Sequence, residues 1–363
     1  MQRRYRIDFA LIVLTGLLGR YTTVRPLVER DQSVLPRWYP IRTWVPDDPL
    51  RVMPAALRIR LRHLLDSRML YLRRPAEATI IHAFETYYIY TLLNRLLRRR
   101  IVIINNPDGG VGIPNSRISA WLLSAAVRRT DLFVPWSEDT ASVLLREYPW
   151  LSREKIVVLH PGIDLQRWTF RGVHEPNERC KLLFIGGDLL RKGADTLLDA
   201  FERGLHLTCE LHLATQSGYI TPAIERRIRA TPGVTLYLDL TPGSEQLQGL
   251  FRESDIFVLP TNQDVSSFVA LEAMATGIPV IICPYGGIPE IVLDGQTGLL
   301  IPPKNPAAII AAVERLQGDR ALYGRLIRQG RAHVERHFDA AANTDWLLSL
   351  TKALIDASTG WRK

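Results

Sequence analysis

The amino-acid sequence predicts an α/β protein made of two consecutive doubly wound parallel sheets, and three observations point there. Apolar runs of strand length alternate with longer amphipathic stretches across the 363 residues. That βα rhythm is the mark of a parallel sheet covered by helices on both faces. The rhythm breaks at "HPGIDLQRW" (His160 to Trp168), runs through a polar segment to Arg179, and then restarts. The net charge of +9 divides at the same place. Residues 1–165 hold about 25 Lys and Arg against 15 Asp and Glu, and the remainder about 21 against 22. These breaks predict one domain over residues 1–165 and a second over 166–345. A helix within 341–363 is placed to pack back toward the first domain. The 47% hydrophobic content is enough for two separate cores, and 23% charged residues exclude a disordered or fibrous chain.

In chain order, the strands expected in the first domain are "FALIVLT", "ATIIHAF", "RIVIINN", "DLFVPW" and "KIVVLH". Helices between them are "YIYTLLNRLLRRR" and "SRISAWLLSAAVRR". The basic-then-apolar start, "MQRRYRIDFALIVLTGLLGR", imitates a secretory leader. Asp8 interrupts its apolar run, no A-x-A-like site follows, and the run falls short of the roughly 20 residues a membrane span needs. A first buried strand is the expectation. The second half restarts with "CKLLFIGG", followed by the strands "CELHLAT", "VTLYLDL", "DIFVLPT", "PVIICP" and "GLLIP". The helices "GADTLLDAFERG", "SEQLQGLFRES", "FVALEAMATG" and "PAAIIAAVERLQ" lie among them, and "AANTDWLLSLTKALIDAS" follows as a last amphipathic helix. Two such units predict Rossmann-like domains facing a central cleft. Cys180, Cys209 and Cys283 stand in apolar stretches at no metal-ligand spacing, so buried thiols in a reducing compartment are expected.

In open α/β sheets, ligands bind beyond the carboxyl ends of the strands. Three segments of the second half end there. In "FIGGDLLRKGADTLLDAF", Gly186 and Gly187 permit close backbone approach, and Arg191 and Lys192 suit a phosphate; the alternative is a solvated basic loop. In "DIFVLPTNQDVSSFVALEAMATG", the helix starting near Ser266, Ser267 and Phe268 offers its first N–H groups and dipole to an anion. Asp264 stands in the loop before it and Glu272 inside it, where they can accept hydrogen bonds from sugar hydroxyls and from a ribose diol. An N-cap and a surface acid are the plain alternatives. The third segment, "CPYGGIPEIVLDGQTGLLIPP", builds another tight loop at a strand end.

The joint order of these segments resembles the donor-binding domain of retaining GT-B glycosyltransferases of family 4, also called glycosyltransferase group 1. The likeness rests on "GGDLLRKGADTLLDAF", on Asp264-x7-Glu272 with "ALEAMATGIPVI", on "GGIPEIVLDGQTGLLIPP", and on the crossover "SEDTASVLLREYPWLSREKIVVLHPGIDLQRW". It covers roughly residues 131–320, and the first 130 residues match only as a Rossmann-like acceptor domain. The resemblance implies a retaining transfer of a sugar from a nucleoside-diphosphate sugar to a glycan, lipid-linked or small-molecule acceptor. It implies catalytic roles for Asp264, Glu272, Arg191 and Lys192, with Asp264 orienting the hexose, Glu272 holding the ribose and the two cations holding the diphosphate. Donor contacts are further implied for Gly186, Gly187, Ser266, Ser267 and Phe268. The first acid of the family signature is usually Glu, and Asp264 is one methylene shorter. Where the family often carries a sugar-side histidine, this chain shows Asn106 and Asp108; His82 is the other candidate, with an ordinary sheet histidine as its alternative.

No D-x-D occurs in the chain, so no metal and no cofactor is expected beyond the co-substrate. Arg58, Arg62, Arg73 and Arg74 in an amphipathic stretch, with Arg98 to Arg100, suit peripheral contact with an anionic membrane from the cytoplasmic side, or simply a solvated face. No RNP, KH, zinc-knuckle or helix-turn-helix pattern supports nucleic acid. A nucleotide-sugar epimerase or hydrolase and a non-catalytic nucleotide-sugar binder remain alternatives. A dehydrogenase is disfavoured because G-x-G-x-x-G is missing.

Overall fold

Eleven strands in two all-parallel sheets organise the computed structural model, which describes residues 4–13, 28–42, 77–82, 91, 101–106 and 117–360. The chain divides into two units. One joins residues 1–161 to 340–363, and the other spans 162–339.

In the first unit the strands are β1 (Tyr5–Val13), β2 (Val34–Arg42), β3 (Ala78–His82), β4 (Ile101–Asn106) and β5 (Leu132–Pro135), in the order β2-β1-β3-β4-β5. Helices α1 (Arg117–Arg129) and α2 (Glu138–Glu147) flank β5 in the chain, and Ser137 caps α2 by accepting from the Thr140 N–H at 3.0 Å. β2 escapes the sequence expectation because Pro36 and Pro40 interrupt it. It lies on the sheet edge, where a strand tolerates residues without an N–H. "KIVVLH" is expected as a strand but forms only a bridge at Ile156. Val157 and Leu159 donate to the carbonyls of Phe133 and Pro135, yet Pro135 has no N–H to return the bond, so the ladder does not close.

The second unit contains β6 (Cys180–Ile185), β7 (Cys209–Thr215), β8 (Val234–Leu238), β9 (Ile256–Leu259), β10 (Val280–Ile282) and β11 (Leu299–Leu300). Its helices are α3 (Ala194–Arg203), α4 (Pro222–Ala230), α5 (Glu245–Glu253), α6 (Phe268–Thr276), α7 (Ile288–Ile291), α8 (Pro306–Gly318) and α9 (Arg320–His337). The order β11-β10-β9-β6-β7-β8 is that of the doubly wound dinucleotide-binding sheet, with its direction of winding reversing between β6 and β9. β6, β9 and β10 are nearly all apolar and buried, as strands covered on both faces must be. All three cysteines are free and buried.

Helix α10 (Ala340–Gly360) belongs to the first unit. Its Leu347, Leu348 and Ile355 pack in one core with Ile7, Ile80, Ile103 and Val134. Lys352 Nζ meets Asp31 Oδ2 at 2.5 Å, and Arg30 meets Asp345 at 2.5 Å. Burial works against the Asp31 carboxylate, but hydrogen bonds from Lys352 and Ser33 outweigh it and hold its pKa below the usual carboxylate value.

The segment that leads into β6 is tied down by a partly buried polar cluster. Arg171 donates to the carbonyls of Arg252 and Ser254 and to His174 Nε2, while His174 Nδ1 lies 3.3 Å from the Gly172 carbonyl. Asn177 spans both Asp255 carboxylate oxygens at 3.1 and 3.0 Å, and Asp255 Oδ2 also accepts from the Lys181 N–H. Burial first, and then the Arg171 charge, push the His174 pKa down, so the ring is held neutral.

Candidate functional site in the second unit

β6 and β9 are the neighbours between which the winding reverses, and the loops beyond their carboxyl ends carry most of the residues singled out in the sequence. After β6, Gly186 and Gly187 lead into a turn in which the Lys192 N–H bonds the Asp188 carbonyl at 2.8 Å. Gly193 then caps α3 at φ 78, in the left-handed region. A Cβ at Gly193 would stand 1.9 Å from the Pro260 carbonyl oxygen, so only glycine lets this turn rest on the end of β9.

The two loops are stitched along their length. The Asn262 N–H donates to the Arg191 carbonyl at 2.8 Å, Asn262 Nδ2 to the Leu190 carbonyl at 2.9 Å, and Arg191 Nη1 to the Gln263 carbonyl at 3.1 Å. Arg191 Nε also lies 3.6 Å from Asp188 Oδ2, and its side chain remains half-exposed. At the centre, Lys192 Nζ meets Asp264 Oδ2 at 2.5 Å, with side-chain exposures of only 13% and 8%. Asp264 Oδ1 accepts from the Val265 N–H at 3.0 Å. An ammonium has three donors and a carboxylate about four acceptor positions, so both groups keep capacity for a ligand. The Lys192 stem runs along Gly186, where a Cβ would stand 3.0 Å from Lys192 Cγ.

A third loop closes the far side. The Gly287 N–H donates to the Val265 carbonyl at 2.8 Å, and Gly286, at φ 51, approaches Val265 Cα so closely that a Cβ would be 2.9 Å away. Ser267 is buried and caps α6, its hydroxyl accepting from the Ala270 N–H at 3.4 Å. Ser266 Oγ, beside it, is buried with no hydrogen-bond partner among the described residues. An orphaned hydroxyl at the positive end of a helix dipole fits an anion's oxygen. Phe268 opens α6 and packs on the core, and Glu272 follows one turn later, half-buried.

Gly186, Gly187, Arg191, Lys192, Asp264, Ser266, Ser267, Phe268 and Glu272 thus come to one edge of one sheet, on the loops after β6 and β9 and the start of α6. The structure adds Asn262, which the sequence reading passed over, and sets Gly286, in the tight loop expected of the third segment, against Val265. Asn262 sits two residues before Asp264, but its role depends on a partner 72 positions away. In the first unit, His82 ends β3 and Asn106 ends β4. Asp108 lies outside the described residues, as does the basic stretch 54–75.

Comparison with known proteins gives this geometry its context. The family model described as glycosyl transferases group 1 matches residues 179–319, and that for glycosyltransferase family 4 matches residues 20–167. The D-inositol 3-phosphate glycosyltransferase of Streptomyces avermitilis is 30% identical over 228 residues, which is 58% of this chain and 49% of that protein. A glycogen synthase of Mycobacterium tuberculosis is 29% identical over 229 residues, 61% of this chain and 53% of that protein. The chain spans about half the length of the curated relatives it matches. Among solved structures, sucrose-phosphate synthase from Thermosynechococcus elongatus superposes with a TM-score of 0.76 at 20% identity, covering 98% of this chain and 100% of that one. HepE from Anabaena, solved in complex with UDP, gives 0.73 at 12% identity over 96% of this chain and 100% of that one. These likenesses show the fold, the GT-B pairing of two parallel-sheet α/β domains. With one model on each unit and these relatives, the chain belongs to the family 4, or group 1, glycosyltransferases.

Proposed function

We propose that this protein is a retaining glycosyltransferase of the EC 2.4 type that moves a sugar from a nucleoside-diphosphate sugar to a glycan, lipid-linked or small-molecule acceptor. The observation that carries the proposal is the ion pair of Lys192 and Asp264 at the reversal point of the second sheet, beside the amino end of α6. It joins a cation suited to phosphate and an acid suited to sugar hydroxyls within one turn of a helix dipole. Solved HepE structures in complex with UDP and with UDP-glucose support a nucleotide-sugar as the ligand class.

Chemically, the step breaks the bond from the anomeric carbon to the diphosphate oxygen. It forms one to an acceptor hydroxyl on the same face of the sugar. Charge grows on the departing diphosphate, and the departing phosphate takes the acceptor's proton. Arg191, two donors of the Lys192 ammonium, Ser266 Oγ and the first N–H groups of α6 are the protein groups that meet the growing charge. Preorganised donors of this kind are worth about 3–4 kcal/mol each. Asp264 orients the hexose and keeps Lys192 in place, and Glu272 takes the ribose diol. With no D-x-D in the sequence to seat a divalent ion on the diphosphate, this cationic cradle is assigned that task, and the reaction is metal-independent.

The first unit is assigned the acceptor, with Asn106, Asp108 and His82 on the sugar side. We assign it peripheral contact with an anionic cytoplasmic membrane surface through its Arg-rich segments. Among the described residues no helix is long and apolar enough to cross a membrane.

The test is calorimetric titration with UDP-, GDP- and ADP-sugars, followed by turnover assays with EDTA present. One donor should bind and turn over with an acceptor, leaving the anomeric configuration unchanged and the rate insensitive to EDTA. Donor consumption at the same rate without acceptor would replace transfer by hydrolysis or epimerisation. Donor binding with no turnover across an acceptor panel would leave a binding protein only. Flotation with anionic vesicles at low salt tests the membrane contact, which fails if the protein stays at the bottom of the gradient.

A further inference from the structure

Beyond the loops that hold Lys192 and Asp264, one more turn stands at the same edge of the second sheet. After β7, a single 3₁₀ turn, Ser217–Tyr219, carries Tyr219 with 59% of its surface exposed. A large aromatic left mostly open to water contributes little by burial, yet the turn that carries this one is held from several directions. Asp239, just past β8, has φ 57, a left-handed conformation uncommon outside glycine. In that conformation its Oδ1 accepts from the Ser217 N–H at 2.8 Å, while its own N–H bonds the Thr215 carbonyl at 3.0 Å. Gln216 Nε2 reaches the Leu240 carbonyl at 3.3 Å, and Thr215 Oγ1 donates to the Gly187 carbonyl at 2.9 Å. The loops after β6, β7 and β8 are thereby fixed to one another.

The ring's position is informative. It lies beside Gly187, where a Cβ would come within 3.5 Å of Tyr219 Cε2, while the neighbouring Gly186 borders the Lys192 stem. The Gly186-Gly187 dipeptide therefore borders the aliphatic stem of a cationic side chain at its first residue and an open aromatic ring at its second. A molecule that carries both an anionic group for Lys192 and a planar unsaturated group for the ring would meet both. Resting on the nucleotide-sugar reading above, we infer that Tyr219 is the stacking platform for the donor's nucleobase and that Asp239 is the positioning residue that holds it there. Stacking accepts any base, because every base has a π-face. Tyr219 therefore contributes affinity for nucleotides as a class, and edge contacts elsewhere choose among bases.

The experiment is titration of the full chain and of Tyr219→Ala, Tyr219→Phe and Asp239→Gly with UDP, GDP and ADP, and with inorganic pyrophosphate, which has no base. Tyr219→Ala should weaken whichever nucleoside diphosphate the unaltered protein binds by about tenfold or more, as loss of a single stacking aromatic does. Tyr219→Phe should stay within about twofold, since the ring face is kept. Asp239→Gly permits the same backbone conformation and should fall between the two. Pyrophosphate affinity should be unchanged in all three. Tyr219→Ala with undiminished nucleoside-diphosphate affinity overturns the platform and leaves the proposed function standing. Equal loss of pyrophosphate and nucleotide overturns it as well, by making Tyr219 a support for the phosphate loop. An unaltered protein that binds pyrophosphate but no nucleoside diphosphate overturns the functional reading itself, and the platform with it.

Discussion

Lys192 and Asp264 are mostly withdrawn from water and complete each other's charge, so removing one exposes the other to the cost of a buried, unmatched ion. Lys192→Met should destabilise the second unit by about 3 kcal/mol or more. It should also slow transfer by about 10²–10³-fold, the loss expected for one preorganised donor. Lys192→Met/Asp264→Asn should recover part of the stability but none of the activity. Urea unfolding and initial rates read the two effects separately, and strictly additive stabilities would count against the pair. Lys192, Asp264 and Arg191 were legible in the sequence because each stands just past an apolar run that must be a strand. That the Lys192 ammonium touches the Asp264 carboxylate was not legible. It follows from the pairing of β6 with β9, which sets Leu183 beside Phe257 and so brings the two loops together. Asn262, Tyr219 and Asp239 were invisible for the same reason, since their partners lie on other loops and no local pattern marks them.

At the scale of the elements, the turns that join strand to helix are more constrained than the helices themselves. Gly193→Ala would force a Cβ into the Pro260 carbonyl and a non-glycine residue to φ 78. A loss of more than about 2 kcal/mol in urea is expected, with weakened donor binding because the two stitched loops must part. A mild effect would mean that the turn can rebuild. The segment before β6 sets a pH dependence. The neutral His174 has a pKa below its unfolded value near 6.5, so the unfolded chain binds more protons in the window beneath that value. Its contribution is complete above about pH 6.5 and is lost as the pH falls toward the folded pKa. His212, lowered by burial and then by Lys181, acts in the same direction. The urea midpoint should therefore drop between about pH 7 and 5.5, and His174→Gln, which takes up no proton, should flatten part of the slope. Sequence periodicity located every long apolar strand of the second unit. It failed at β2 and at "KIVVLH", where proline decides whether a ladder can form and the hydrophobic pattern does not report it.

For the molecule as a whole, the division into units does not follow the order of the chain. Leu347, Leu348 and Ile355 of α10 complete the core built around β1, β3 and β4. Each buried side chain of that kind contributes about 1.5–3 kcal/mol. Together they approach the net stability of an ordinary domain, about 5–15 kcal/mol. A chain ending at residue 339 should keep the cooperative unfolding of the second unit and lose that of the first, as read by calorimetry and by protease sensitivity within residues 4–161. Retention of both transitions would show that the first sheet stands without its last helix.

The same helix reverses the order in which the halves mature. On the ribosome, domains ordinarily fold as they emerge, amino-terminal first. Here the β6–β11 sheet and its helices can finish while the earlier-made sheet still waits for residues 340–360. The nascent first half therefore keeps an open apolar face until α10 is made, and chaperone dependence should concentrate there.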